Sequence, residues 1–297
     1  MIGAIAGDII GSIYEHHPVK TKNFPLFDDR CRFTDDTVLT VAIADAILSG
    51  TSYTDAVRTI GQRHPHAGYG GSFIQWLFAD NPKPYNSWGN GAAMRVSPVG
   101  FAFTTEEEVL DQARMTAQIT HNHPEGIKGA QATALAVFLA RTGCDKKTIK
   151  ERIIQDFGYD LDRTTDDIRP SYTFDISCQG TVPEAMIAFL DATSYEDTIR
   201  NAISLERDSD TLACIAGGIA EAFYGNISPD IRTRVETTLP RICGRWYRHF
   251  VTNTGETGNH YPPRRAIRVD VMELKQSWIG GQGQLLEIYA NPVYGTL

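Results

Sequence analysis

Apolar residues recur at helical spacing through most of the first 250 positions. Residues 37–48 are apolar nearly all round, the pattern of a helix buried on every side. Residues 105–118 start with Thr105 and three glutamates, then place Val109, Leu110, Ala113 and Ala117 at helical spacing. Residues 124–141 start with Pro124-Glu125, proline being tolerated in a first turn, and continue through Ile127, Ala130, Ala134, Leu135, Val137 and Phe138. The spacing predicts further helices at 146–157, 182–191, 195–205, 211–224 and 228–238. It also predicts a first helix that ends in the stretch Tyr14-Glu15-His16-His17. Small residues at Gly3, Ala4, Ala6, Gly7 and Gly11, and again at Ala213, Ala216, Gly217, Gly218 and Ala220, predict helices packed at close range. Strand signals are weak before residue 250. No βαβ alternation and no GxGxxG is present, which argues against a nucleotide-binding α/β fold. The expected fold is all-α, a single compact multi-helix domain over residues 1–250. Residues 252–264 have loop composition, and 265–289 alternate locally around a Gly/Gln-rich turn at 280–284. Residues 251–297 are therefore expected to form a short irregular or β-hairpin extension, with no role assigned.

Composition narrows the class. A formal net charge of −8 over 297 residues, without a basic block, argues against a nucleic-acid partner. Five scattered cysteines, none at CxxC spacing, fit a reduced protein better than a disulfide framework. The first residues lack a basic segment and are interrupted by Asp8, so they do not read as a signal peptide. No apolar run approaches the roughly 18 residues needed to span a bilayer. The expectation is a cytoplasmic protein with no membrane partner.

Candidate chemistry begins with two acidic helix starts. One is Phe33-Thr34-Asp35-Asp36-Thr37; the other is Arg207-Asp208-Ser209-Asp210-Thr211, and each runs into an apolar helix. A single carboxylate there is ordinary, because it accepts free N–H groups and suits the helix dipole. Two at each start exceed what capping needs. If the starts meet, four negative charges converge and stay ionised only with cations between them. Hydroxyls of Thr34 and Thr211 would complete an all-oxygen shell suited to Mg2+, Mn2+ or Ca2+. Capping by solvated acids is the alternative for either cluster alone.

Other stretches carry weaker signals. Trp88-Gly89-Asn90-Gly91 offers close backbone approach, phosphate-binding N–H groups and a stacking face, or simply a tight turn. Gly68-Tyr69-Gly70-Gly71-Ser72 is a phosphate cradle or a flexible turn. His121-Asn122-His123 lacks the partners and spacing of a zinc site, so a substrate-contacting or helix-capping histidine is expected there. His64-Pro65-His66 has loop character. Glu15 is either an exposed helix-end carboxylate or a further ligand or acid/base group.

In order along the chain, Gly3-Ala4-Ile5-Ala6-Gly7-Asp8, Glu15, Thr34-Asp35-Asp36-Thr37, Gly89-Asn90-Gly91-Ala92-Ala93-Met94-Arg95, Thr120-His121 and Asp208-Ser209-Asp210-Thr211 resemble the ADP-ribosylglycohydrolases. The likeness covers about residues 1–247. It implies an all-α fold around two divalent cations, Mg2+ or Mn2+, with Thr34, Asp35, Asp36, Asp208, Asp210 and Thr211 as ligands. It implies Glu15 near the metals, residues 16–33 as a flap or its base, and catalytic roles for Asp35, Asp210 and Glu15. Gly70, Gly71 and Ser72, together with Ser87, Trp88, Gly89, Asn90 and Gly91, match segments that hold diphosphate and adenosine. Trp88 would stack on adenine and His121 would touch the phosphate side. The implied activity is hydrolysis of the glycosidic bond between ADP-ribose and an acceptor. That acceptor is a modified protein side chain or a small-molecule conjugate. Two other functions compete: a non-catalytic ADP-ribose binder or crystallin-like structural protein, and a hydrolase of another nucleoside or nucleotide bond.

Two departures from the family pattern stand out. Two glycines usually precede the second acidic motif, where this chain has Glu206 and Arg207. Arginine-directed members carry an additional acidic residue in the loop after the first motif, and residues 56–79 contain neither Asp nor Glu.

Overall fold

The computed structural model describes residues 1–205 and 207–239, and over these the chain is helical with no strand. The helices are α1 (Ile2–Gly11), α2 (Asp35–Ser49), α3 (Tyr53–Gly61), α4 (Gly71–Phe78), α5 (Gly91–Met94), α6 (Ser97–Ala102) and α7 (Glu106–Gln118). They continue with α8 (Pro124–Arg141), α9 (Lys146–Phe157), α10 (Thr165–Ile168), α11 (Cys178–Asp191), α12 (Tyr195–Ile203), α13 (Ser209–Tyr224) and α14 (Pro229–Thr238). One isolated antiparallel bridge joins Gly89 to Ser177. No helix of the described residues is long and apolar enough to cross a membrane.

The centre is the pair α1 and α13. Gly3, Gly7 and Gly11 recur every four residues and so share one face of α1. That face lies on the main chain of α13. A Cβ on Gly7 would sit 2.0 Å from the Ala213 carbonyl oxygen, and one on Gly3 would sit 2.4 Å from that of Gly217. The small residues thus let two backbones touch, as their pattern predicts. All ten residues of α1 are buried, as are fourteen of the sixteen in α13. Around this pair, α2, α12 and α14 pack against α1, and α8, α11 and α12 against α13.

Local signals account for most boundaries. The Thr105–Glu108 capping box starts α7, Asp145 caps α9 and Ser194 caps α12. The helix expected at 182–191 starts earlier, at Cys178. Ser177 caps it by accepting from the Gly180 N–H at 3.1 Å, and Pro183 is carried inside it. α1 stops sooner than its apolar pattern suggests. Gly11 abuts Asp210, the Ser12 hydroxyl turns back onto the Ile9 carbonyl at 2.9 Å, and the chain proceeds in turns through His16. The expected boundary at residue 250, and the extension 251–297 with its hairpin at 265–289, lie outside the described residues.

Candidate active site

Because α1 and α13 touch, Asp8 of α1 and Asp210 of α13 face the start of α2. Thr34 caps α2 by accepting from the Asp36 N–H. The Thr34 hydroxyl donates to Asp8 Oδ1 at 2.7 Å, and the Thr34 and Thr37 N–H groups donate to Asp8 Oδ2 at 2.9 and 3.1 Å. The Thr37 hydroxyl donates to the same oxygen. Across the gap, the Thr211 hydroxyl donates to Asp36 Oδ2 at 3.3 Å. Carboxylate oxygens of Asp8, Asp36 and Asp210 all lie within 4.8 Å of one another. Asp36 Oδ1 is buried with no hydrogen-bond partner.

Capping and solvation do not account for the whole cluster, although Asp8 accepts the Thr37 N–H at 3.1 Å and Asp210 the Thr211 N–H at 2.9 Å. Capping of α2 falls to Thr34, and Asp208 makes no capping bond to α13. Asp8, Asp36, Asp208 and Asp210 are buried, and Asp35 is half-buried. Burial, then the neighbouring carboxylate, pushes Asp36 and Asp210 far above the usual range. Burial and Asp8 raise Asp35 to about 8, and burial raises Asp208 to about 6 against a bond from Asn90. A buried setting that holds five carboxylates among hydroxyl and amide donors, with no cationic side chain bonded to them among the described residues, is chemically suited to hard divalent cations. The starts of α2 and α13 both address this point, but their dipoles offset only part of the charge.

The cluster forms one wall of a cleft of about 890 Å3. Every sequence-predicted site residue lines it: Glu15, Thr34, Asp35, Asp36, Asp208, Asp210 and Thr211 on the acidic side, with Gly70, Gly71, Ser72, Ser87, Trp88, Gly89, Asn90, Gly91 and His121 elsewhere. Only Asp36 and Asp210 of the expected ligands belong to the tight carboxylate triad; its third member, Asp8, was assigned no role from sequence. Glu15 is presented by the turns after α1. The chain beyond it is tied down by Lys20, which donates to the carbonyls of Tyr172 (2.7 Å) and Leu205 (2.9 Å). Phe24 continues this anchoring, buried against Tyr14 with the Arg200 guanidinium over its ring.

The Gly-rich stretches differ from each other. Gly70 is the N-cap of α4 and Gly71 its first residue, so unpaired N–H groups of a helix start open on the cleft. In the Ser87–Gly91 loop, two N–H groups are already used: Gly89 donates to Ser87 Oγ at 3.1 Å and Asn90 to the Ile176 carbonyl at 2.7 Å. Its phosphate-binding capacity is correspondingly smaller than the glycine count suggests. The Asn90 side chain is buried and donates to Asp208 and to Thr181 Oγ1, which makes it part of the acidic centre. Trp88 is exposed, as are Phe174 and Ile176, and all three line the cleft. Of the two histidines, His123 caps α8 by accepting from the Glu125 N–H at 3.1 Å, while His121 lines the cleft. His66 and the Phe174–Ser177 segment also line it, without a sequence signal that set them apart from ordinary loops. Arg95, completely buried, reaches the same cleft from α5.

Arg207, which stands where a glycine is usual, has φ +71°. The backbone before Asp208 therefore keeps a conformation that costs an L-residue about 1–2 kcal/mol. Glycine loses more entropy on folding, which offsets part of that gain, so Arg207→Gly is expected to raise stability by about 0.5–1 kcal/mol. A urea midpoint that moves down would show that the Arg207 side chain contributes more than its backbone costs.

Comparison with known proteins gives a consistent picture. A family model described as ADP-ribosylglycohydrolase matches residues 1–256. The chain is 27% identical over 301 residues to the ADP-ribosylhydrolase ARH3 of Xenopus tropicalis, covering 76% of this chain and 86% of that protein. It is 26% identical over 307 residues to the Homo sapiens ARH3, covering 76% and 84%. It is 24% identical over 263 residues to the ADP-ribosylarginine hydrolase Tri1 of Pseudomonas putida, covering 76% and 69%. A solved structure, an ADP-ribosylglycohydrolase-related protein complex, superposes with a TM-score of 0.65 at 22% identity, over 84% of this chain and 93% of that one.

Proposed function

The chain belongs to the ADP-ribosylglycohydrolase family, and from that premise we propose that it hydrolyses the glycosidic bond joining ADP-ribose to a protein side chain, with divalent cations held in the acidic wall of the cleft. The observation that carries this is the carboxylate triad of Asp8, Asp36 and Asp210, whose oxygens lie within 4.8 Å and include one that is buried and unpartnered. Thr34, Asp35, Asp36, Asp208, Asp210 and Thr211 would hold two Mg2+ or Mn2+, with Asp8 and Asn90 setting their orientation. Bound there, such ions would neutralise the carboxylates and lower the pKa of water at the site.

The chain's own groups supply the rest. Asp35 is the one half-exposed carboxylate of the cluster and faces the cleft, placed to take a proton from the attacking water. Positive charge that builds on the ribose ring in the transition state meets Asp35, Asp208 and Asp210 along one wall. Glu15, at the mouth, is placed to return a proton to the leaving group. Unpaired N–H groups at the start of α4 and the buried guanidinium of Arg95 give the cleft positive potential away from the acidic wall, where a diphosphate would lie.

The test is release of free ADP-ribose from serine- and arginine-linked peptides, with Mg2+ and after chelation. Cation-dependent release is expected, with the serine-linked peptide preferred, because residues 56–79 offer no carboxylate to a guanidinium. ADP-ribose binding without release from any acceptor would favour the non-catalytic binder. Asp35→Asn is expected to lower the single-turnover rate by about 10²–10⁴-fold while ADP-ribose still binds. An unchanged rate would remove Asp35 from the proton transfer.

A further inference from the structure

Arg95 is a completely buried cation with no carboxylate partner among the described residues. Its Nη2 donates to the Thr116 carbonyl at 2.7 Å and to Thr120 Oγ1 at 2.9 Å, while Nε and Nη1 have no hydrogen-bond partner among the described residues. Thr120 Oγ1 in turn lies 2.7 Å from Nδ1 of His121, the buried histidine that lines the cleft. The direction of this chain of bonds has a consequence for the ring. A guanidinium only donates, so it occupies a lone pair of the threonine oxygen. The hydroxyl proton then has one described acceptor in reach, His121 Nδ1. Were Nδ1 protonated instead, the hydroxyl would be a buried donor without an acceptor.

We propose that Arg95 and Thr120 act as positioning residues that hold His121 as the neutral Nε2–H tautomer, so that the ring donates a hydrogen bond into the cleft to an anionic oxygen of the substrate. Three observations support this. Nε2 has no hydrogen-bond partner among the described residues. It lies 3.1 Å from where a Cβ on Gly91 would stand and 3.5 Å from one on Gly89, so these glycines leave room beside it. Burial and the charge of Arg95 both push the His121 pKa well below its usual value, which keeps the ring neutral at physiological pH. The arrangement solves an electrostatic problem of this cleft. Acidic residues crowd one wall, and a neutral donor backed by a buried cation selects an anionic group without pairing with those carboxylates. This rests on the ADP-ribose reading for the identity of the anionic group, here a phosphate oxygen.

Nitrogen-15 NMR of the full chain with labelled histidine tests it directly. His121, assigned by its loss in His121→Gln, is expected to show a protonated Nε2 and an unprotonated Nδ1. In Thr120→Val the ring is expected to shift towards a mixture of tautomers, and ADP-ribose binding to weaken by roughly tenfold, about the worth of one hydrogen bond. Thr120→Ser, which keeps the hydroxyl, is expected to restore both. A wild-type ring protonated at Nδ1 would overturn the proposal, as would an Nε2–H signature undiminished in Thr120→Val. The tautomer comparison needs no ligand. Failure of wild-type protein to bind ADP-ribose would count against the substrate assignment, while a wrong tautomer would count against the relay.

Discussion

Gly7→Ala is expected to yield little folded protein. The added methyl would stand 2.0 Å from the Ala213 carbonyl oxygen, 2.4 Å from its carbon and 2.8 Å from the Cys214 nitrogen. All three are backbone atoms of a buried helix, so no side-chain rotation relieves the overlap. The two helices would have to separate, and the cost is expected to exceed about 4 kcal/mol, beyond ordinary overpacking. Separation would also carry Asp210 away from Asp8 and Asp36, so any protein that folds is expected to bind Mn2+ weakly. Gly218→Ala serves as the comparison. Its methyl would meet the Ser97 Cβ at 3.1 Å and the Ala4 Cβ at 3.5 Å, both on side chains, and a cost of about 1 kcal/mol is expected. Urea midpoints and soluble yields of the two variants check this. Wild-type stability in Gly7→Ala would mean that α1 and α13 do not meet face to face.

Asp36→Asn is expected to stabilise the metal-stripped protein while abolishing both cation-dependent stabilisation and ADP-ribose release. The cause is the crowding of buried carboxylates, which makes their charged forms costly. The pH dependence follows from the direction of the shifts. Asp35 is raised from 3.8 to about 8 and Asp208 to about 6. Below about pH 4 both groups are protonated whether the chain is folded or not, and they contribute no difference. As pH rises through 4 to 8, the folded state keeps protons that the unfolded state has released. Stability of the stripped protein therefore falls over that window, and Asp36 and Asp210, raised well above their usual values, add to the fall. Divalent cations replace the protons, so Mg2+ stabilises more at pH 8 than at pH 5. At a hundredfold excess over its Kd the gain is about 2.7 kcal/mol, or about 5–10 °C in Tm. Melting curves at pH 5, 7 and 9, with and without Mg2+, measure this. In Asp36→Asn the stripped protein is expected to melt higher than wild type at pH 8 and to ignore Mg2+. A stripped wild-type protein that gains stability from pH 5 to 8 would show that these carboxylates are charged without cost.

The long helices were legible because their signals are local: the capping box at Thr105–Glu108, the proline start of α8, the Asp145 cap. The helices α3 to α6 and α10 were not; all but α3 have only four to eight residues, too few turns for periodicity to stand out. The two acidic helix starts and the glycine loops announced the cleft. Asp8 passed unassigned because it looked like an interruption in an apolar run. Its meaning depends on the glycine face beside it, which brings α13 close enough for Asp210 to share its site. Arg95 ended one of the motifs but was assigned no role, because a cation after an apolar stretch normally points to solvent. Its burial comes from α7, whose Thr116 and following Thr120 close over it. Asn90 resembled a turn residue between glycines, and only its bond to Asp208 ties it to the acidic wall. In each case the missing information was tertiary, held by helices far apart in the chain.

The central claim is that two acidic helix starts and Asp8 form one cation centre. Calorimetric titration of Mn2+ into the metal-stripped full chain at pH 8 tests it most directly. The account predicts saturable binding of about two ions per chain, as in two-metal hydrolytic centres, with binding lost in Asp210→Asn. Absence of binding in the wild-type chain, or binding undiminished in Asp210→Asn, would contradict it.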